Sequence, residues 1–172
     1  MKKTLLLLTL CLACICGHAQ QIDKKLLYGR WDLYSAKDPG NSLCRDSLDQ
    51  VTERIMQQFP VDSGQGNGSG FSYDDSLKLA KTIRAGLNEA FKSYFKFDEQ
   101  GNMEAFACAG GECFSDTSQY QWIDNNQISK KKKTGASAEV ITILSLNDAR
   151  LSTRVEDMES GVTVEMTFTR AK

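Results

Sequence analysis

Apolar and polar residues alternate through most of the chain after residue 94. In the last segment Val162, Val164 and Met166 alternate with polar residues, as expected for a β-strand that buries one face. Turn sequences such as Gly101-Asn102 separate the alternating segments at hairpin length, which joins neighbouring strands antiparallel. This half of the chain is therefore predicted to form consecutive antiparallel strands. Their expected positions are residues 94–98, 103–108, 118–123, 127–132, 140–144, 150–155 and 162–170.

One further strand is predicted near the start of the chain. Trp31 and Leu33 alternate with Asp32 and Tyr34, which again indicates a half-buried strand. The total is then eight strands. Eight meandering strands can close into an up-and-down barrel, an arrangement that leaves no unpaired sheet edge. We therefore expect a mainly β fold, an eight-stranded antiparallel up-and-down barrel.

The segment between the first two predicted strands has a helical period instead. Leu48, Val51 and Ile55 recur at steps of three and four residues, which places them on one helix face. A second apolar stripe over residues 77–94 predicts another helix, with Asp75 as its N-cap residue. The barrel is thus expected to carry a two-helix insertion after its first strand.

The first nineteen residues have the three parts of a secretory signal peptide. Two lysines precede an apolar run at residues 5–15, and Ala19 supplies the small residue before a cleavage site. The run is shorter than the about 20 apolar residues of a membrane-spanning helix, and no later segment is predicted to span a membrane. Cleavage after Ala19 predicts a secreted or periplasmic protein. The alternative is processing at Cys14, which would give an outer-membrane lipoprotein.

Cleavage would leave residues 20–172 as one domain, with the helical insertion at about residues 42–92. Without Lys2 and Lys3 the chain keeps 19 basic against 22 acidic residues, a balance that argues against nucleic acid as a partner. The single histidine, His18, would be removed. Ser-His-Asp catalysis, Cys-His catalysis and histidine zinc sites are then excluded. We expect a non-enzymatic protein with no catalytic residues, no metal and no cofactor.

Three cysteines would remain after cleavage: Cys44, Cys108 and Cys113. Cys108 and Cys113 enclose a short Ala-Gly-Gly-Glu segment, so a disulfide between them is the first expectation for an exported protein. Cys44 would then be an inert buried thiol, or would pair with one of the other two instead. A site of three thiolates is disfavoured for a metal, because no histidine is available to complete it.

The first and the last predicted strands carry residues that resemble the lipocalin pattern. Gly29 and Trp31 form a Gly-x-Trp at the start of the first strand, and Arg170 ends the last strand. With eight strands, the pattern is similar to secreted bacterial lipocalin-like domains over residues 26–36 and 94–172. The resemblance implies that Trp31 lies at the closed end of the barrel and that Arg170 packs across it as a cation–π closure pair. Lipocalins place a longer helix after the barrel strands, so the early helical insertion leaves the position of a binding mouth open.

The interior of the barrel is the expected functional site. Eight strands enclose a space that side chains just fill, or that holds one small ligand. The chain is therefore expected to bind a small apolar or amphipathic ligand or, alternatively, to be a filled structural or protein-interaction module of the cell envelope. The residues predicted to line the interior are Leu33, Phe95, Phe97, Met103, Tyr120, Trp122, Leu151 and Met166.

Two groups of charged residues are assigned to the surface. The run of lysines at residues 130–133 is interpreted as a solvated strand end that protects a sheet edge, with binding to an acidic surface as the alternative. Glu112 and Asp116 are interpreted as loop residues.

Overall fold

The computed structural model describes residues 22–59, 72–130, 139–156 and 161–172. Two single-turn 3-10 helices, Lys24–Leu27 and Arg45–Ser47, accompany the main elements. The predicted signal peptide, its cleavage site and the lipid-anchor position Cys14 lie outside these residues, as do residues 131–133 of the lysine run. The strands are β1 (Gly29–Lys37), β2 (Ser42–Cys44), β3 (Tyr94–Phe97), β4 (Asn102–Ala109), β5 (Glu112–Trp122), β6 (Gln127–Lys130), β7 (Glu139–Leu146), β8 (Arg150–Glu156) and β9 (Thr163–Arg170). The α-helices are α1 (Leu48–Met56) and α2 (Tyr73–Ala90).

The strands form one antiparallel meander that closes on itself. From β3 to β9 each strand pairs with the next, and β1 pairs with both β3 and β9. Leu33 lies opposite Phe168 where the first and last strands meet. The predicted eight-stranded antiparallel barrel with a two-helix insertion after its first strand is confirmed, and β2 adds a short ninth strand to the sheet.

The strand β2 and the helices occupy the place that β3 leaves vacant beside β1. The first part of β1 pairs with β3, but residues 35–37 pair with β2 instead. Arg45 fixes this junction, because its Nη2 donates to the carbonyl oxygens of Leu33 at 2.9 Å and of Phe91 at 2.8 Å. Beyond it α1 contacts β2, and α2 contacts β4. The insertion therefore continues the barrel wall between β1 and β4.

Strand β5 begins earlier than predicted. It starts at Glu112 and meets β4 at a two-residue turn, Gly110-Gly111, in which φ is +63° and +87°. Two consecutive positive φ values suit glycine and the tight turns of β-hairpins. The interpretation of Glu112 and Asp116 as loop residues is therefore wrong: both lie in β5. Residues 112–117 are all exposed, so this part of the strand lacks the alternation of buried apolar residues that predicts a strand from sequence.

Helix α2 also begins earlier than predicted. Ser72 is its N-cap residue, since the Ser72 Oγ accepts from the amide of Asp75 at 3.2 Å and donates to the Asp75 carboxylate at 2.8 Å. Asp75, predicted as the N-cap, is instead the third helical residue. The helix ends at Ala90, where a short turn leads into β3. Among the described helices, none combines the length and the apolar character that crossing a membrane requires.

The hydrophobic core fills one end of the barrel. Trp31, Met103, Ile128, Leu151 and Phe168 are at most 2% exposed. The turns after β3, β5 and β7 lie at this end, which is termed the closed end. The opposite end carries the Gly110-Gly111 turn of β4 and β5 and is termed the hairpin end.

Candidate ligand-binding site in the barrel

The segment before β1 covers the closed end. Trp31 donates its Nε1–H to the carbonyl oxygen of Leu27 at 2.7 Å, and Leu27 is fully buried. Lys24 lies over the ring of Trp122 with its Nζ 4.7 Å from the centroid. The 3-10 helix Lys24–Leu27 thus reaches from β1 across to β5.

Arg170 locks this cover in place. Its Cζ lies 4.4 Å from the centroid of the Trp31 ring, which is cation–π geometry. Its Nε and Nη1 donate to the carbonyl oxygens of Asp148 and Tyr28, each at 2.9 Å, and its Nη2 donates to the carbonyl oxygen of Leu26. The structure places the predicted closure pair, Trp31 and Arg170, in direct contact.

The glycine of the Gly-x-Trp is required by the same arrangement. Gly29 has φ +111°, a conformation that side chains with a Cβ rarely adopt. A Cβ at this position would also lie 3.1 Å from Nη1 of Arg170. The motif therefore combines a backbone bend with room for the guanidinium.

All eight residues predicted to line the interior lie on barrel strands, but they differ in burial. Phe95 packs against Phe168 with ring centroids 4.7 Å apart, and Phe97 packs edge-on against Tyr120 at 5.4 Å. These contacts fill the space at the closed end. The buried residues are Leu33, Phe97, Met103, Tyr120 and Leu151, and the half-buried ones, packed against that core, are Phe95, Trp122 and Met166.

Tyr120 is a buried polar residue of the inner face of β5. Its hydroxyl donates to the carbonyl oxygen of Asp98 at 3.2 Å. Burial, with smaller effects from Tyr28 and Asp98, raises the pKa of Tyr120 to about 12. The phenol is therefore a neutral hydrogen-bonded core group at physiological pH.

Beyond Tyr120, toward the hairpin end, charged side chains lie on the inner face of the neighbouring strands β5, β6 and β7. Lys130 lies opposite Tyr120 on one side and Glu139 on the other, and directly opposed residues of an antiparallel ladder point to the same face. The Lys130 Nζ lies 3.0 Å from Oδ2 of Asp116 and 3.5 Å from Oε2 of Glu139. Asp116, Lys130 and Glu139 are termed the inner charge cluster.

The interpretation of Lys130 as a solvated residue is wrong. Its side chain is only 13% exposed and faces the interior. Lys130 continues the inward alternation of Ile128, whereas the sequence interpretation grouped it with the following lysines by charge. Asp116 is four residues before Tyr120 on the same face of β5. The cluster could have been predicted from the sequence by extending the alternation of inward residues from Ile128 to Lys130 and from Tyr120 back to Asp116.

Two buried hydroxyl groups also lie on the inner face. Ser118 is 8% exposed and lies between Asp116 and Tyr120 on one face of β5. Thr153 is 1% exposed and lies opposite Met166. Neither hydroxyl has a hydrogen-bond partner among the described residues. A buried hydroxyl without a partner costs about 1–3 kcal/mol, so the arrangement favours a polar atom inside the barrel that satisfies it.

The two remaining groups of candidate residues are the cysteines and metal ligands. Cys108 and Cys113 lie directly opposite each other in β4 and β5 with their sulfur atoms bonded at 2.10 Å. Cys44 is a free, half-buried thiol. Within the described ranges, no three His, Cys, Asp or Glu side chains come together as metal ligands would.

A surface groove lies outside the barrel at the closed end. It has a volume of about 410 Å³ and runs between the segment before β1 and the turn after β5. Ile22, Leu26, Asn125 and Leu146 are among its lining residues. This groove is separate from the predicted interior residues, none of which lines it.

The solved structures to which this chain is similar are barrels of low sequence identity. No protein-family model matches the chain, and no curated protein matches its sequence. A bovine odorant-binding protein in complex with undecanal is 14% identical, with 91% of this chain and 77% of that chain covered and a TM-score of 0.43. A dog lipocalin allergen is 14% identical (84% and 74% covered, TM-score 0.41). Lipid binding protein 8 of Caenorhabditis elegans is 11% identical (87% and 99% covered, TM-score 0.39).

The lipocalin-like description of this fold rests on the chain's own geometry. The barrel is an eight-stranded antiparallel meander closed between β1 and β9. At its closed end the guanidinium of Arg170 lies on the indole of Trp31, and Gly29 leaves room for it. The chain therefore has a lipocalin-like barrel with helices inserted after the first strand.

Proposed function

We propose that this protein is a non-enzymatic binding protein that holds one small apolar or amphipathic ligand inside its barrel. The observation that carries the proposal is the pair of buried inward hydroxyls, Ser118 and Thr153, which lack partners among the described residues. A polar atom of a ligand would supply the missing partner. The lipocalin resemblance of the sequence implies the same kind of site.

The apolar part of such a ligand would contact the side chains between the packed core and the inner charge cluster. Phe95 and Met166 are half-buried and pack against the core. Each ligand methylene removed from water would add about 0.8 kcal/mol to binding. An apolar body with one polar end therefore fits this interior best.

The same proposal places the protein outside the cytoplasm. Cleavage after Ala19 would release it to the periplasm or the medium, whereas processing at Cys14 would anchor it to the outer membrane by lipid. A disulfide between Cys108 and Cys113 suits an oxidising compartment. A thiol titration of the unfolded, unreduced mature protein is expected to find one reactive thiol, Cys44.

The test is binding of the neutral dye N-phenyl-1-naphthylamine to residues 20–172. Ala105 lies on the inner face opposite Phe95, so Ala105→Trp would place an indole in the ligand space. We expect it to weaken dye binding at least about tenfold, equivalent to 1.4 kcal/mol. Phe106→Trp is the matched control, because Phe106 stacks on Tyr94 on the outer face at 5.0 Å. Circular dichroism and thermal melting establish that both variants fold.

Failure of the folded wild type to bind any neutral apolar probe would refute the proposal. Equal binding by the Ala105→Trp and Phe106→Trp variants would place the dye outside the barrel and refute it as well. Native mass spectrometry of protein purified from its own source is the complementary measurement, since a co-purifying small molecule supports a carrier.

A second candidate function is a protein-interaction module of the cell envelope. Tyr73 is 71% exposed and Leu77 is 44% exposed, one turn apart on α2. Exposed apolar side chains on one helix face favour contact with a partner protein. A protein that co-purifies with the wild type and is lost from a Tyr73→Ser, Leu77→Ser variant would favour this function over ligand carriage.

A further inference from the structure

We propose that the helix pair α1 and α2 opens away from the barrel while the strands stay folded, and that this opening admits the ligand. The inference rests on the proposed function and specifies the route to its binding site. It is carried by the weak packing of the two helices and by the buried hydroxyl of Ser76.

Both ends of the insertion are tied to the barrel wall. Arg45, shortly before α1, donates to the carbonyl oxygen of Phe91, directly after α2, at 2.8 Å and to that of Leu33 in β1 at 2.9 Å. The amide of Cys108 in β4 donates to the Oγ of Ser93 at 3.1 Å. Phe91 is only 6% exposed and belongs to the barrel core. These contacts hold the start of α1 and the end of α2 in place, so the helix pair has a fixed base about which it can turn.

Beyond this base the helices pack weakly. Thr52 in α1 and Ser76 in α2 are the buried residues of the two described helices, neither of which buries an apolar side chain. Each barrel strand buries at least one, such as Trp31 in β1 or Leu151 in β8, whereas Leu87 on the apolar stripe of α2 is only half-buried. Segments with few buried apolar contacts open locally at a lower free energy than the core does. We therefore expect the helix pair to open before the strands do.

The hydroxyl of Ser76 weakens the closed position further. Ser76 is 8% exposed, and its Oγ has no hydrogen-bond partner among the described residues. The other buried hydroxyl of the helices, that of Thr52, donates to the carbonyl oxygen of Leu48 at 2.8 Å. Opening returns the Ser76 hydroxyl to water, where it is hydrogen-bonded, so its burial favours the open state. The helix pair is thus held closed less tightly than an alanine at this position would allow.

The helix pair stands where the ring of long strands has a gap. Strand β3 begins only at Tyr94, opposite Asp32, so the later part of β1 has β2 and the helices beside it instead. Phe91 belongs to the core, and Leu48 at the start of α1 packs against it. Movement of the helix pair would therefore give a ligand direct access to apolar side chains of the interior.

The two ends of the barrel suit an apolar ligand less well. The 3-10 helix Lys24–Leu27 covers the closed end, and Arg170 holds it there. Toward the hairpin end the inner face carries Lys130 and Glu139. An apolar body that passes these side chains strips water from charged groups, which costs free energy. The apolar route into the barrel is the side that the helix pair covers.

Stopped-flow binding of N-phenyl-1-naphthylamine to residues 20–172 tests this route through its rates. Ser76→Ala removes the unpartnered hydroxyl, so it should slow association and dissociation of the dye by the same factor, at least about threefold. The dissociation constant should stay within about twofold of the wild-type value, because the dye-bound and dye-free closed states gain equally. Gly86→Ala is the matched control on the same helix. Its new Cβ meets no heavy atom within 4 Å, so both rates should stay unchanged.

A second pair of variants should shift the rates in the opposite direction. Leu87→Ala removes a half-buried side chain of α2, and should speed both association and dissociation at least about threefold. Leu77→Ala makes the same change on the same helix, but Leu77 is 44% exposed, so the rates should stay those of the wild type. Circular dichroism and thermal melting establish that all four variants fold.

The outcomes separate this inference from the proposed function. If the wild type binds the dye but Ser76→Ala and Leu87→Ala leave both rates unchanged, the ligand enters elsewhere and the carrier function stands. A changed dissociation constant without equal changes in the two rates would also overturn the inference, because the helices would then form part of the binding site.

Equal effects of Ser76→Ala and Gly86→Ala, or of Leu87→Ala and Leu77→Ala, would overturn it too. The rates would then follow the stability of the helices rather than their packing on the barrel. If the folded wild type binds no neutral apolar probe, the carrier function fails together with the inference.

Discussion

Arg170 joins three segments of the chain at the closed end of the barrel. Its guanidinium donates to carbonyl oxygens before β1 and after β7, and it stacks on Trp31 within β1. A neutral side chain of similar length would leave these carbonyl oxygens without their donor. The closure therefore depends on one residue that is far from its partners in sequence.

Replacing Arg170 by methionine tests this dependence. Arg170→Met keeps an apolar stem over Trp31 but removes the donors, so we expect a loss of about 2–4 kcal/mol in the free energy of unfolding. The measurement is urea unfolding of residues 20–172. Arg154→Met is the control, since Arg154 forms an exposed pair with Glu165 and its loss should cost no more than about 1 kcal/mol. Similar losses in the two variants would contradict the assigned role of Arg170.

Two glycine-to-alanine substitutions are expected to change stability in opposite directions. Gly29→Ala introduces a Cβ 3.1 Å from Arg170 at a positive φ, and should destabilise the protein by about 1–3 kcal/mol. Gly86→Ala lies in α2 with no heavy atom within 4 Å of the new Cβ, and should stabilise it by up to about 1 kcal/mol. The melting temperatures of both variants and of the wild type, measured side by side, test these two predictions. A neutral Gly29→Ala would show that the guanidinium can move away without loss.

At the scale of elements, the turn between β3 and β4 depends on one carboxylate. Asp98 accepts from the amides of Gln100 at 2.9 Å and Asn102 at 2.8 Å, and from the side chain of Asn102 at 2.8 Å. The side-chain bond from Asn102, followed by the backbone bonds, lowers the pKa of Asp98. A lowered pKa in the folded state means that the ionised carboxylate stabilises the fold.

The stability of the protein should therefore depend on pH through Asp98. The contribution of Asp98 is complete above its unfolded pKa of about 3.9 and is lost as the pH falls through the lower folded value. Asp98→Asn should be less stable than the wild type at neutral pH, and this difference should shrink below about pH 4. Urea midpoints at several pH values measure it. Glu99→Gln, which changes the same charge in the same turn, should not show this pH-dependent difference, and finding one there would contradict the assignment.

The strands and helices that bury one face could be predicted from the sequence. The alternation in β9 and the helical period of α1 both reflect burial of one face against the core. Strand β2 has only three residues, too few to show a period, and it pairs with the end of β1 because β3 begins only at Tyr94, opposite Asp32. The start of β5 escaped prediction for a related reason, since residues 112–117 have no buried face to impose alternation.

At the scale of the whole molecule, the barrel divides into a packed closed end and a polar region toward the hairpin end. The division explains which site residues could be predicted. Apolar inward residues such as Met103 and Leu151 follow directly from alternation. Lys130 and Thr153 lie on the same inner face, but their polarity is typical of the surface. Only the closed ring of paired strands shows that these residues face inward.

This division predicts that a polar interior residue destabilises the empty barrel. Thr153 is 1% exposed and its hydroxyl lacks a partner among the described residues, so Thr153→Val should stabilise the ligand-free protein by about 1 kcal/mol. Urea unfolding of the delipidated protein measures this change. Leu151→Ala, two residues earlier on the same strand, should instead cost about 2–5 kcal/mol because it opens a cavity in the packed core. A Thr153→Val variant that is less stable than the wild type would mean that an ordered water already satisfies the hydroxyl. In that case Ser118 would be the only inward hydroxyl of the pair available to a ligand, and the polar end of the ligand would be expected beside β5 rather than β8.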